Sequence, residues 1–487
     1  MPAMAFAAAR PSGQPHVCFA TTHARRLALS VALAVLLMLA ACSTVTQKAP
    51  SRATLATLYT AGGAIRASDG EMRWTQALGS APALLANGVL YATVNAPSVL
   101  PEMPVVHAVR ASDGATLWTA QPQGCCGPLA LANNNLLVPV FQSGHFQPGV
   151  GYSGQLALVA LRRNDGRVAW RSTPVTAIVI PQIDTPAPFV SQLAVSRGMV
   201  VAEAAATPET SYLVAWNLDT GKLAWRTLLA DRSDYGAPSF SDTPAGVVVS
   251  ALYGQASDVA TVDLATGKLL WYRTRIGGSF LATNGVDVFS DGLTGVIIGV
   301  RPSDGTVLWQ ANLGPSGQKT YSYCTCEIAA DADTLYYRSL PSDCPSPGMK
   351  VSCMPRLSAI RLDSGALRWQ RTLDAETPEF ANNAVVGNNV LYYASFTPPS
   401  QSEGYQFFLL AFATRNGHLL WRHTTDGLFE RVVATDDAIF AIVSRETGTC
   451  GGALESLSTV NGSFRWVRDY PNCAGLVPLS GRWLVVG

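Results

Sequence analysis

The chain has 487 residues, 34 Lys+Arg against 33 Asp+Glu, a formal net charge of +1 and only 14% charged residues, where an ordinary soluble protein carries about 25%. No basic run provides the electrostatic footprint of a nucleic acid partner, and 48% hydrophobic residues exclude wholesale disorder. A single apolar stretch, Leu27 to Ala41, approaches the length of a membrane span, which excludes a polytopic membrane protein.

In chain order, that stretch comes first. It follows Arg25-Arg26 and runs to a small-residue site, so residues 1–41 read as an export signal. Its end, Leu39-Ala40-Ala41-Cys42, resembles the bacterial lipoprotein box, which implies cleavage before Cys42 and lipidation of its sulfur. An uncleaved anchor helix is the alternative, and either places the remainder outside the cytoplasm. Residues 42–56, rich in Ser, Thr, Ala, Gln and Pro, read as a flexible tether.

From residue 57 onward one pattern recurs nine times: an apolar run, a turn ending in Gly, and a Trp four residues after that Gly. The pairs are Gly70 and Trp74, Gly114 and Trp118, Gly166 and Trp170, Gly221 and Trp225, Gly267 and Trp271, Gly305 and Trp309, Gly365 and Trp369, Gly417 and Trp421, and Gly462 and Trp466. Nine of the eleven Trp are thereby placed, leaving Trp216 and Trp483. The position ten before each Trp is small, and Asp, Thr, Ser or Asn precedes each Gly. Such a dipeptide makes a tight turn between antiparallel strands, because Gly supplies a positive φ and the preceding side chain bonds nearby backbone. The small residue is expected to let a neighbouring sheet approach, and the Trp to cover apolar area while needing a partner only for its indole N–H. Two further strands fit between successive motifs, as in Ala83 to Gly88 followed by Val89 to Val94, so each unit has four strands.

The segment Ala215-Trp-Asn-Leu-Asp-Thr-Gly-Lys-Leu-Ala-Trp225, and Ala359 to Trp369 after it, resemble the repeat of the quinoprotein-type, or PQQ-like, β-propellers, Ala-x-Asp-x-x-Thr-Gly-x-x-x-Trp. The resemblance implies an all-β fold, a single β-propeller of four-stranded blades over residues 57–487. The chain ends in strand-like Leu476 to Leu479 and Trp483 to Val486, the expected first half of a unit whose second half ends at Trp74. Pairing of the two ends would close the propeller and hide its sheet edges. The motif count favours nine blades; eight stays open, because the family usually makes eight and the interval from Trp271 to Trp309 is short.

Eight cysteines remain beyond Cys18 and Cys42, an even number suited to disulfides in an exported protein. Cys324, Cys326, Cys344 and Cys353 cluster around an insertion, and Cys450 and Cys473 flank the last motif; the connectivity stays open. Zinc is disfavoured there, since Cys-x-Cys lacks knuckle spacing and no His lies nearby. Cys125-Cys126 are neighbours, whose α-carbons about 3.8 Å apart lie below the usual disulfide range. This pair resembles the adjacent Cys pair of quinone-dependent alcohol dehydrogenases, and Glu203 could stand for their calcium-ligating Glu; two Cys opening an inner strand is the plain alternative. The Asp and Asn motifs those enzymes also need are missing, as are a Gly-x-Ser-x-Gly elbow and a His-Glu-x-x-His helix. Arg66, Arg110, Arg162, Arg301 and Arg361 recur eight before Trp, either as an anion-binding rim or as amphipathic residues beside the turn.

The expectation is therefore a lipid-anchored, extracytoplasmic propeller that binds envelope proteins, similar to the propeller lipoproteins of the outer-membrane β-barrel assembly machinery, without catalytic residues, cofactor or metal. The alternative is an alcohol or sugar oxidoreductase dependent on pyrroloquinoline quinone and calcium, using Cys125, Cys126 and Glu203.

Overall fold

The structure, a computed structural model, describes the strands and tight turns between Thr57 and Val486. Residues 1–56 and the connections 79–83, 95–104, 180–192, 230–238, 243–246, 274–278, 315–327, 340–355, 374–379, 398–405, 445–451 and 471–474, with some shorter ones, lie outside the described residues. The export signal, Cys42, the tether and the disulfide candidates Cys324, Cys326, Cys344, Cys353, Cys450 and Cys473 fall there.

The described residues contain 39 strands and no helix, arranged in nine sheets. Seven are four-stranded, with strands in sequence order and antiparallel. The first such sheet pairs Leu84–Ala86, Val89–Val94, Val105–Arg110 and Thr116–Ala120. In each the fourth strand carries the motif Trp and forms one edge. The core lies between sheets rather than within one. Val201, Leu213, Ala215 and Trp225 of one sheet pack against Ala260, Val262 and Leu264 of the next. Strands covered on both faces read as nearly continuous apolar runs, which is why charge is scarce.

Two sheets depart from the pattern. Where the sequence predicts half a unit from each end, the amino-terminal segment supplies three strands, Thr57–Thr60, Gly63–Arg66 and Met72–Thr75. The terminal strands Gly475–Leu479 and Arg482–Val486 extend the same sheet, joined in parallel through Tyr59 opposite Leu484. The short run Thr-Leu-Tyr-Thr has β-branched and aromatic residues and hairpins directly onto Gly63–Arg66, so it completes the three strands locally. The second exception has six strands. Its inner edge is split between Cys125–Cys126 and Ala130–Ala132, both pairing with Asn135–Gln147. That 13-residue strand and the 12-residue Gly151–Arg162 form a hairpin much longer than the blade strands, and Val175–Val179 pairs with its far half.

Candidate functional site

The repeat residues build the seams between sheets, and the register shows how. In all nine motifs the small residue is directly cross-strand from its own Trp, from Ala64 opposite Trp74 to Ser456 opposite Trp466, followed at once by a bulge. The small side chain thus makes room for the Trp of its own sheet, not for the neighbouring backbone as the sequence suggests. A Cβ on Gly299 would collide with the Trp309 indole. An aromatic ring often lies on the other side: Tyr59, Tyr91, Tyr336 and Tyr392 sit 5.9–6.2 Å from the motif Trp, tilted by 41–44°.

The approach of the next sheet is met by the motif Gly. A Cβ on any of the nine would fall within 2.7 Å of the preceding sheet's Trp ring, Gly114 against Trp74 and so on to Gly462 against Trp421. Gly70 lies in the same way on Trp466. Gly267 has φ +71°, so turn geometry and ring contact both demand it. The indole N–H of eight motif Trp donates to a carbonyl in the next turn at 2.7–3.1 Å, ending with Trp466 Nε1 to Ala67 O across 399 residues of chain. Trp170 is the exception, its buried Nε1 lacking a hydrogen-bond partner. At that seam Trp216, one of the two Trp outside the motif and fully buried, donates to Thr173 O at 2.9 Å instead.

Sequence reasoning missed a second cross-seam bond. The residue two after the Trp donates to the next motif's turn: Thr227 to Gly267 O, Arg273 Nε to Gly305 O at 2.6 Å, Arg371 Nε to Asn416 O at 2.9 Å, and Arg468 Nη1 to Gly70 O at 2.7 Å. Its signal is only a polar residue at a fixed offset, spread over several residue types. At Trp421 this position is His423, which instead faces Glu455 of the next sheet, Nε2 to Oε2 3.7 Å, with Thr425 Oγ1 donating to the other carboxylate oxygen at 3.0 Å. Both side chains are buried, and the His423 ring meets Phe464 edge-on at 4.5 Å.

Asp287 is the other polar intrusion. It is 1% exposed, neither carboxylate oxygen has a hydrogen-bond partner, and burial pushes its pKa up to about 7. The same register position elsewhere holds Leu90, Leu136, Val200, Leu335, Leu391 and Ile439. Thr261, in the preceding sheet, is also fully buried with an unpartnered hydroxyl.

The recurrent Arg residues close on their own turns. Arg66 pairs with Asp69, Arg110 with Asp113, Arg301 with Asp304 and Arg361 with Asp363, at 2.5–3.0 Å. Backbone N–H groups, with the Arg beside them, hold Asp69, Asp113 and Asp304 below the usual carboxylate range, Asp304 at about 2. Four of the five Arg are thus matched by a carboxylate, which favours the local reading over an anion-binding rim.

Cys125 and Cys126 open the inner edge of their sheet, opposite Phe141 and Val140. Glu203 lies in the following sheet on Met199–Thr207, opposite Leu213 and 8% exposed. Calcium takes six to eight oxygen ligands. Among the described residues no three His, Cys, Asp or Glu side chains form a group that could hold a metal ion.

A family model described as outer membrane protein assembly factor BamB matches residues 102–279 and 158–338. No curated protein matches the chain in sequence. Solved structures similar to it include a quinohemoprotein alcohol dehydrogenase from Comamonas testosteroni, 13% identical over 77% of this chain and 72% of that one, TM-score 0.42. BamB from Moraxella catarrhalis is 12% identical over 79% of this chain and 92% of that one, TM-score 0.40. Sqt1 from Saccharomyces cerevisiae is 10% identical over 86% and 100%, TM-score 0.44.

Proposed function

Starting from a propeller of PQQ-like repeats, we propose that the chain is a lipid-anchored, extracytoplasmic scaffold that binds other proteins of the cell envelope, tethered to the membrane through Cys42. The observation that carries this reading is the match of residues 102–279 and 158–338 to an assembly-factor family. The seams support it from the chemical side. The repeated Trp, Gly and small residues are engaged in packing one sheet on the next, which leaves turns and outer strands for contacts with partners. A tether raises the local concentration of such a binder at the membrane.

Crosslinking in intact cells followed by affinity recovery from membranes tests the reading. Envelope proteins are expected in the crosslinked fraction, and recovery of none above background would overturn it. The oxidoreductase alternative is tested separately by adding pyrroloquinoline quinone and calcium to the purified chain. The scaffold reading expects no cofactor absorbance to stay with the protein. Retained cofactor that is lost in Glu203→Gln would replace the scaffold by the alternative.

A further inference from the structure

The fourth strands, which form the outer edges of the sheets, have a composition unlike the rest of the chain. Together, from Met72–Thr75 to Phe464–Tyr470, they hold nine Arg, no Lys and a single acidic residue, Asp469. The whole chain, by contrast, balances to +1. Charges on edge strands commonly block unwanted strand pairing, but either sign serves that purpose and Lys serves it best. A single-sign, Arg-only edge has a further selectivity: the planar guanidinium matches phosphate oxygens in a fork that ammonium cannot make.

The same strands expose apolar side chains between the Arg residues, and the density is high on two neighbouring edges, Leu223–Leu229 and Leu269–Arg273. These edges are adjacent because Trp225 packs on Gly267. Leu228 is 56% exposed, Leu269 42%, and Leu270 and Tyr272 39% each. Arg226 Cζ lies 4.2 Å from the Tyr212 ring centroid, and Arg273 donates Nε to Gly305 O, so the fold positions both guanidinium groups, with the Nη atoms of Arg273 outside that bond. Neither has a carboxylate partner among the described residues. Arg interleaved with exposed Leu and an aromatic ring, with no acid, is the composition of a surface that lies in a headgroup layer.

We propose that the edge formed by Leu223–Leu229 and Leu269–Arg273 docks on a membrane surface rich in anionic phospholipid, Arg226 and Arg273 binding headgroup phosphates while Leu228, Leu269 and Leu270 enter the interface. This goes beyond the protein-binding reading and does not depend on it, since vesicles contain no partner protein. The complementarity is of charge, and it distinguishes this edge from the paired Arg residues of the turns, each already matched to Asp.

The test uses the full chain on vesicles of phosphatidylcholine alone and on vesicles that also contain phosphatidylglycerol, read by amide hydrogen exchange of the two strands. The apolar amino terminus can attach the chain to either vesicle, so exchange, not attachment, reports docking. Exchange in the two strands is expected to slow about tenfold on the anionic vesicles only, and to return to the free rate in high salt. The double variant Arg226→Gln/Arg273→Gln, checked for an unchanged melting profile, is expected to lose the slowing. If that variant melts early, Leu228→Ser, at an exposed position, is expected to weaken the slowing without disturbing the fold. Equal exchange on both vesicles would overturn the proposal, as would slowing that survives both high salt and the Gln variant. Slowing that follows protein concentration without vesicles would assign the edge to a second copy of the chain and equally overturn it.

Discussion

Asp287 shows how much one residue can be expected to change in a repeat that otherwise fills its seams with Leu, Val and Ile. Its carboxyl lies on a strand face shared with Phe289, and Phe289, Ile298 and Val300 pack with Trp271 of the preceding sheet. No donor compensates for the water it loses on folding. In the unfolded chain it ionises near its ordinary value of 3.8, and in the folded protein near 7. The folded state therefore binds the extra proton between those values, and stability falls as pH rises from about 4 through 7. Asp287→Asn removes that titration. Its unfolding free energy, measured by urea titration from pH 4 to pH 8, is expected to match the parent at the acid end and exceed it by about 2–4 kcal/mol at the other. A parent-minus-variant difference that does not change with pH would mean that Asp287 is solvated or paired in the folded protein. His423 and Glu455 make a second such intrusion, but there each has the other within 3.7 Å.

At the scale of the element, the turn glycines divide into two kinds, those of the repeat, with a Trp four residues on, and those outside it. Gly267 and Gly198 both have positive φ, +71° and +77°, yet a Cβ on Gly267 meets the Trp225 ring at 2.5 Å while one on Gly198 meets nothing within 4 Å. Gly198→Ala carries only the backbone penalty of about 1–2 kcal/mol. Gly267→Ala adds displacement of a packed indole and is expected to cost about 1–3 kcal/mol more, the usual range for overpacking. Denaturant unfolding of the pair separates the two effects; equal costs would show that the Trp ring yields freely. Spacing alone placed the turns, the strands and the nine Trp, because local conformation and burial both constrain those positions. Spacing could not say whose Trp each Gly receives, since a contact between neighbouring sheets joins residues about a repeat apart. It assigned the room-making role to the wrong side of the small residue for the same reason. The substitution of Trp216 for Trp170 as seam donor was equally hidden, because it depends on which indole finds a carbonyl in three dimensions. For the candidate quinone site, Cys125, Cys126 and Glu203 were placed on strands by pattern, but convergence of ligands is a property of the assembled sheets.

At the scale of the whole propeller, most seams join motifs that follow one another in sequence, and one joins the last motif to the first. Trp466 lies on Gly70 and donates to Ala67 O, residues at opposite ends of the described chain. Phe440 supports the same ring at 6.0 Å, and Leu58 and Ile65 pack with Leu454 in one apolar cluster. At an ordinary seam such as that of Trp225 the covalent chain runs from the Trp strand into the next motif, whereas at the Trp466 seam it reaches only the terminal strands Gly475–Leu479 and Arg482–Val486, which meet the first motif's strands by the pairing of Tyr59 with Leu484. The Trp466 seam brings in strands separated by nearly the whole sequence, and its closure entropy grows only slowly with that separation. Trp225→Ala and Trp466→Ala should therefore lose comparable packing, about 3–5 kcal/mol each, but differ in what opens. With Trp225 truncated, the terminal strands stay locked and the protein should still unfold in one transition. With Trp466 truncated, Thr57–Thr60 and Gly63–Arg66 lose their long-range cover and should exchange amide hydrogens well before the central sheets, giving a staged unfolding like that of an open repeat array. Hydrogen exchange followed by mass spectrometry on the two variants resolves the two patterns. Uniform acceleration of all sheets in both variants would mean that the Trp466 seam is no different from the rest and that the ends are secured by the strand pairing of Tyr59 with Leu484 instead.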